Sequence, residues 1–111
     1  MTQITLYGLK NCDTCKKALK SLETAGIAAK FVDIRNEANL SEKVPSWLNA
    51  AGADLLINRR STTWRNLDES QRADTPKTLL IANPTLIKRP VIETDNTVHV
   101  GWSKDTLEKL T

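Results

Sequence analysis

The two cysteines of this 111-residue chain stand three positions apart, in the run Cys12-Asp13-Thr14-Cys15. Sulfur attacks as the thiolate, and the unpaired N–H groups and positive dipole end of a helix's first turn lower a thiol pKa. A helix beginning at this run therefore puts Cys12 where a reactive thiol belongs. Lys10, Lys16 and Lys17 add positive potential around it, and Asp13 opposes them. Periodicity gives Cys15 a different place: with Ala18, Leu19 and Leu22 it falls at i, i+3, i+4 and i+7 on one apolar stripe. The pattern predicts an exposed attacking thiol at Cys12 and a sheltered one at Cys15, one helical turn away and near enough to resolve a mixed disulfide. A small apolar residue filling the core is the other reading of Cys15. Zinc is a poor fit, because two cysteines and the single histidine, His99, leave a tetrahedral site one ligand short. No bound cofactor is expected.

The elements that must position this pair follow from the flanking patterns. Gln3-Ile4-Thr5-Leu6-Tyr7 alternates polar and apolar residues and ends at Gly8, which predicts a strand. The cysteine-bearing helix follows the loop Leu9-Lys10-Asn11 and stops near Gly26, and a second strand is expected at about 29–34. Strand, helix, strand with short connections is a βαβ unit, with a right-handed crossover between parallel strands. From Ser41, a fair N-cap, Val44, Trp47, Leu48 and Ala51 mark a helical face that ends before Gly52. A short helical turn is expected over 54–60, and another helix from Pro76 to about Ala82. Val91-Ile92 then begins a strand that turns at Asp95-Asn96 and returns antiparallel over 97–100, before a last helix over 103–110 capped by Ser103. A βαβ unit followed by ββα around four strands is the thioredoxin-like arrangement. The expected fold is thus an α/β, four-stranded mixed sheet in a single domain, 1–111, with a helical insert at about 40–82.

Composition agrees with a soluble globular chain: 40% of residues are hydrophobic and 26% charged. No apolar run approaches the roughly 20 residues of a membrane span, and the first residues lack the pattern of a secretion signal. A cytoplasmic, non-membrane protein is expected, and as a monomer. The net charge of +3 is small, but its placement is uneven. Four cations in 10–22, three in 55–67 and three in 75–92 face a single acid, Asp13, so ten of the sixteen sit in acid-poor windows. Gathered by the fold, these windows would favour a small anion or an acidic thiol compound; left apart, they are solvated faces. A basic helix of the kind that reads DNA is missing, so no direct nucleic-acid binding is expected. Trp47, Trp64 and Trp102 read as packing residues, His99 as a strand residue, and Thr62 and Thr63 as either anion donors or helix caps.

Three stretches carry a resemblance: Tyr7-Gly8-Leu9-Lys10-Asn11-Cys12-Asp13-Thr14-Cys15-Lys16-Lys17-Ala18, Leu56-Ile57-Asn58-Arg59-Arg60-Ser61-Thr62-Thr63-Trp64-Arg65, and Asn83-Pro84-Thr85-Leu86-Ile87-Lys88-Arg89-Pro90-Val91. With a closing Val100-Gly101-Trp102, they span essentially the whole chain in order. The chain resembles the arsenate reductase (ArsC) and Spx family, and within it the small YffB-like branch. The resemblance implies a thioredoxin-like, ArsC-like fold with a helical insert and Cys12 as the nucleophilic thiol. Arg89 and Pro90 match the family's Arg-Pro step, in which the proline is cis and faces the reactive cysteine. Such an arginine offers a planar, bidentate donor to an oxyanion or carboxylate. Arg59, with Arg60 beside it, matches the family's basic position in the middle stretch.

The resemblance has two departures. The arginine that arsenate reductases carry near the last strand is replaced by His99-Val100-Gly101-Trp102, which counts against arsenate itself as the substrate. Cys15 is absent from many YffB-like and glutathione-linked relatives and present in Spx-type regulators. The implied function is a glutathione-dependent thiol reductase, with glutathione as co-substrate and a small thiol or oxyanion compound as partner. The alternative is an Spx-like redox sensor whose Cys12–Cys15 disulfide switches binding to the RNA polymerase α subunit.

Overall fold

The computed structural model describes residues 4–95 and 97–110. They form two compact units, one from the chain up to Ala38 together with the chain from Arg89 onward, the other Asn39–Lys88. The first unit holds a four-stranded sheet. Its strands are β1 (Ile4–Gly8), β2 (Ala29–Asp33), β3 (Val91–Glu93) and β4 (Val98–Val100), in the order β2-β1-β3-β4. β1 pairs parallel with β2 and antiparallel with β3, and β3 pairs antiparallel with β4, so the sheet is mixed as expected. As an inner strand, β1 has Ile4, Leu6 and Tyr7 all buried, which overrides the simple alternation read from its sequence.

Helix α1 (Asp13–Thr24) joins β1 to β2 and lays Cys15, Ala18 and Leu22 on Ile4, Leu6 and Ile92 of the sheet. The predicted stop at Gly26 is a Schellman-type end. Gly26 takes φ +78°, Ile27 N–H donates to Leu22 O at 2.9 Å, and Gly26 N–H donates to Glu23 O at 3.0 Å. β2 ends where the Asp33 carboxylate accepts from the backbone N–H groups of Arg35 and Asn36, at 2.8 and 3.1 Å. Of the predicted Asp95-Asn96 turn, Asn96 lies outside the described residues. The hairpin closes around it, Thr94 N–H donating to Thr97 O at 2.9 Å.

The second unit is helical: α2 (Leu40–Ala51), α3 (Ala53–Leu56), α4 (Thr62–Asn66), α5 (Glu69–Arg72) and α6 (Pro76–Ala82), then one 3-10 turn, Pro84–Leu86. Val44, Trp47, Leu56, Ile57, Leu67, Leu79, Leu80, Leu86 and Ile87 are its buried hydrophobic residues. Several boundaries differ from the sequence reading. Asn39, not Ser41, occupies the N-cap of α2. The helical turn expected over 54–60 ends at Leu56, because Ile57 is extended and bridges Ile87. Ser61, not Thr62 or Thr63, caps α4, its hydroxyl accepting from Trp64 N–H at 3.1 Å. α5 escaped notice, although Asp68-Glu69-Ser70-Gln71 spells a capping box whose two reciprocal bonds both form. Helix α7 (Lys104–Leu110) closes the first unit, with Ser103 Oγ accepting from Thr106 N–H at 3.2 Å.

Candidate functional site

The chain leaves β1 at Gly8, and a turn in which Cys12 N–H donates to Leu9 O at 3.1 Å delivers Cys12 to the N-cap of α1. Its backbone is extended (φ −93°, ψ 118°), while its carbonyl already accepts the first helical bond, from Lys16 N–H at 3.0 Å. Cys12 is half-buried and its thiol makes no capping bond to the helix. The predicted asymmetry is present: Cys15 is fully buried.

Cys15 can sit so close to the sheet because Gly8 has no side chain. A Cβ on Gly8 would lie 2.5 Å from Cys15 Sγ and 3.2 Å from its Cβ. Burial pushes the Cys15 thiol up to about 12, and a hydrogen bond with the Cys12 side chain and the Cys12 charge act in the same direction. The Leu9 backbone N–H and the Arg89 charge pull it down, by less. Cys15 is therefore a protonated thiol at neutral pH.

Arg89 is half-buried, and its peptide bond to the buried Pro90 is cis. Pro90 O accepts from the N–H of Gly101 at 2.8 Å, and Gly101 takes φ +83° there, which ties the step to the turn after β4. Cys12, Cys15, Arg89 and Pro90 thus belong to one unit. Cys15 also lines a small apolar hollow of about 160 Å³, together with Leu9, Lys10, Lys16, Leu19 and Phe31. Sequence reasoning missed Phe31, whose only signal was an aromatic residue in β2.

Arg59 and Arg60 belong to the second unit. Arg59 Nη1 lies 3.3 Å from Asp54 Oδ1, with side chains 47% and 98% exposed, and its guanidinium lies 5.5 Å from the Trp64 ring centre. Arg72 lies 5.2 Å from the same ring and donates from Nη2 to Trp64 O at 3.0 Å. Arg60 is exposed, its backbone N–H held by Asn58 Oδ1 at 3.2 Å. Arg59, Arg60 and Lys88 share a cavity of about 450 Å³ with Asp54 and Asn58. Of the cation windows, Lys10 and Lys16 line one hollow in the first unit, and Arg59, Arg60 and Lys88 line one cavity in the second. Thr63 is taken up by Thr85, hydroxyl to hydroxyl at 2.8 Å. His99 sits on β4 beside Thr97, its pKa lowered by burial and then by Lys109. Among the described residues no three metal-binding side chains cluster, and no helix is long and apolar enough to cross a membrane.

A model of the ArsC family matches residues 7–110. Among characterised and uncharacterised relatives, an uncharacterised protein of Haemophilus influenzae is 45% identical over 91% of this chain and 92% of its own. The global transcriptional regulator Spx of Listeria innocua is 29% identical over 96% and 85%. Among solved structures, a YffB protein superposes with a TM-score of 0.89 at 36% identity, covering 96% of both chains. An arsenate reductase (ArsC) related protein from Brucella melitensis gives 0.77 at 37% identity, covering 96% of this chain and 92% of its own.

Proposed function

Since the chain belongs to the ArsC family, we propose that it is a glutathione-dependent thiol reductase with Cys12 as nucleophile. The observation that carries this is the division of labour between two thiols one helical turn apart: Cys12 half-buried at a helix N-terminus, Cys15 buried and protonated. In the first step Cys12 thiolate attacks one sulfur of a disulfide R–S–S–R′, forming Cys12–S–S–R and releasing R′–S⁻, which takes up a proton. In the second, glutathione thiolate attacks the R sulfur, returning Cys12 thiolate and leaving R–S–S–glutathione. A second glutathione reduces that product, so two glutathione molecules are oxidised for each substrate disulfide reduced.

Glutathione is the faster resolving thiol. Burial alone, the largest influence on Cys15, keeps its thiol protonated in the mixed disulfide, whereas a small free thiol is ionised at the per cent level. Arg89 is the donor for a carboxylate of glutathione or for an oxyanion on Cys12, and Arg59 and Arg60 contribute a further anion-binding surface. Turnover of bis(2-hydroxyethyl) disulfide with glutathione tests the reading. Cys12→Ser should lose about 10³-fold or more, and Cys15→Ser should keep most of the wild-type rate. Full turnover without the Cys12 sulfur would refute it.

A second reading draws on the spacing of Cys12 and Cys15, three residues apart at the start of one helix, and on the Spx relatives. Two thiols one helical turn apart can surrender two electrons to a disulfide oxidant, closing an internal disulfide and releasing two thiols. In this reading the oxidised chain binds the RNA polymerase α subunit. Capture of that subunit by wild type but not by Cys12→Ser, under oxidising conditions only, would establish it.

A further inference from the structure

The tryptophan at the end of Val100-Gly101-Trp102 takes no part in the thiol chemistry, yet its surroundings are those of a ligand site. Trp102 and Leu107 each pack one side against the core of the first unit and leave the other half-exposed. Alongside them α1 presents Lys17, Lys20, Ser21 and Thr24, which are spaced i, i+3, i+4 and i+7 and so share one helical face. These six residues line an open hollow of about 500 Å³, well within the roughly 300–1,000 Å³ of small-molecule sites. It is separate from the hollow beside Cys15, whose walls share none of these residues.

The lining is mixed in a particular way. The lining brings an indole, a leucine and the methylene stems of two lysines together with two ammonium and two hydroxyl groups. Among the described residues no carboxylate lines the hollow, although Glu23, Asp105 and Glu108 are carried by the same two helices. A purely apolar ligand would leave the two lysines unused, and a bare inorganic anion would gain nothing from Trp102 and Leu107. We infer that this hollow binds a small amphiphilic carboxylate, an aromatic ring or short alkyl chain lying on Trp102 and Leu107 with its carboxylate facing Lys17 and Lys20. The Ser21 and Thr24 hydroxyls are placed to donate to the same group.

The test is a titration of the isotope-labelled full chain with 4-phenylbutyrate, followed by two-dimensional NMR. Trp102→Phe assigns the Trp102 indole signal. That signal and the amides of 17–25 should shift saturably, with a Kd on the order of 0.1–1 mM for a ligand of this size. The uncharged amide of the same acid should bind about fivefold to tenfold more weakly, and raised salt should narrow the gap. Lys17→Gln with Lys20→Gln should weaken the acid by the same factor and leave the amide unchanged. Both positions are exposed, so unchanged signals elsewhere will certify the fold. No saturable shift below about 10 mM, shifts centred elsewhere, or equal binding of acid and amide would each overturn the assignment.

Discussion

Arg89 and Arg59 carry the same guanidinium, and the two units use it differently. Arg89 is half-buried and precedes the buried Pro90, and its charge is the smallest of the influences on the buried Cys15 thiol. Arg59 is half-exposed, with Asp54 on one side and the Trp64 ring on the other. Charge acting across a low-dielectric interior is strong, whereas charge in contact with water and a local counter-ion is screened. A residue type at a matching sequence position therefore announces an arginine, and its surroundings decide how much that arginine can do.

Removing Arg89 is the sharpest way to break the comparison. Charge-assisted hydrogen bonds are worth about 1.5–3 kcal/mol, so Arg89→Ala should lower kcat/KM for a glutathione-bearing disulfide about 10- to 100-fold. Arg89→Lys should recover only part of this, because an ammonium cannot make the bidentate contact. A rate unchanged by Arg89→Ala would separate the Arg-Pro step from the chemistry.

The next effect concerns stability and the thiol that Arg89 addresses. Gly8→Ala sets a methyl group 2.5 Å from Cys15 Sγ, a backbone-anchored clash between a strand and the helix packed on it. Overpacking of this kind costs about 1–3 kcal/mol in denaturant unfolding. In a Cys15→Ala background the sulfur is gone and the nearest atom is the Cβ at 3.2 Å, so the cost of Gly8→Ala should fall by at least half. Additive losses would mean that Gly8 is needed for something other than room for the thiol.

How legible all this was depends on the range of the forces involved. The apolar stripe from Cys15 to Leu22, the Gly26 stop and the Pro76 start are local signals, and each appears in the structure where the sequence puts it. The depth of Cys15 was legible from the same stripe, and the helix-terminal place of Cys12 from the strand before it. What escaped were features set by tertiary neighbours. Ile57 is drawn out of a helix by its bridge to Ile87, and Tyr7 is buried because β1 lies inside the sheet. Phe31 reaches the hollow beside Cys15 through the parallel register of β2 on β1, which no short window contains. The α5 capping box is the exception: its signal was local and was overlooked.

The smallest expected effect is at Arg59, and it sharpens the comparison from the other side. Its ion pair with Asp54 is exposed, and such pairs contribute between nothing and about 1 kcal/mol. The contact with Trp64 adds about 0.5–1 kcal/mol at an exposed site. Arg59→Ala should therefore lower stability by about 1 kcal/mol, and turnover by about twofold to fivefold through KM, with both losses fading at high salt. Asp54→Asn is the informative partner. It releases Arg59 from its counter-ion while keeping the side-chain shape, so KM for an anionic disulfide should fall where Arg59 serves anions and stay put where Arg59 only braces Trp64. A loss in Arg59→Ala as large as that in Arg89→Ala, and insensitive to salt, would show the two arginines to be equivalent and sink the distinction between the units.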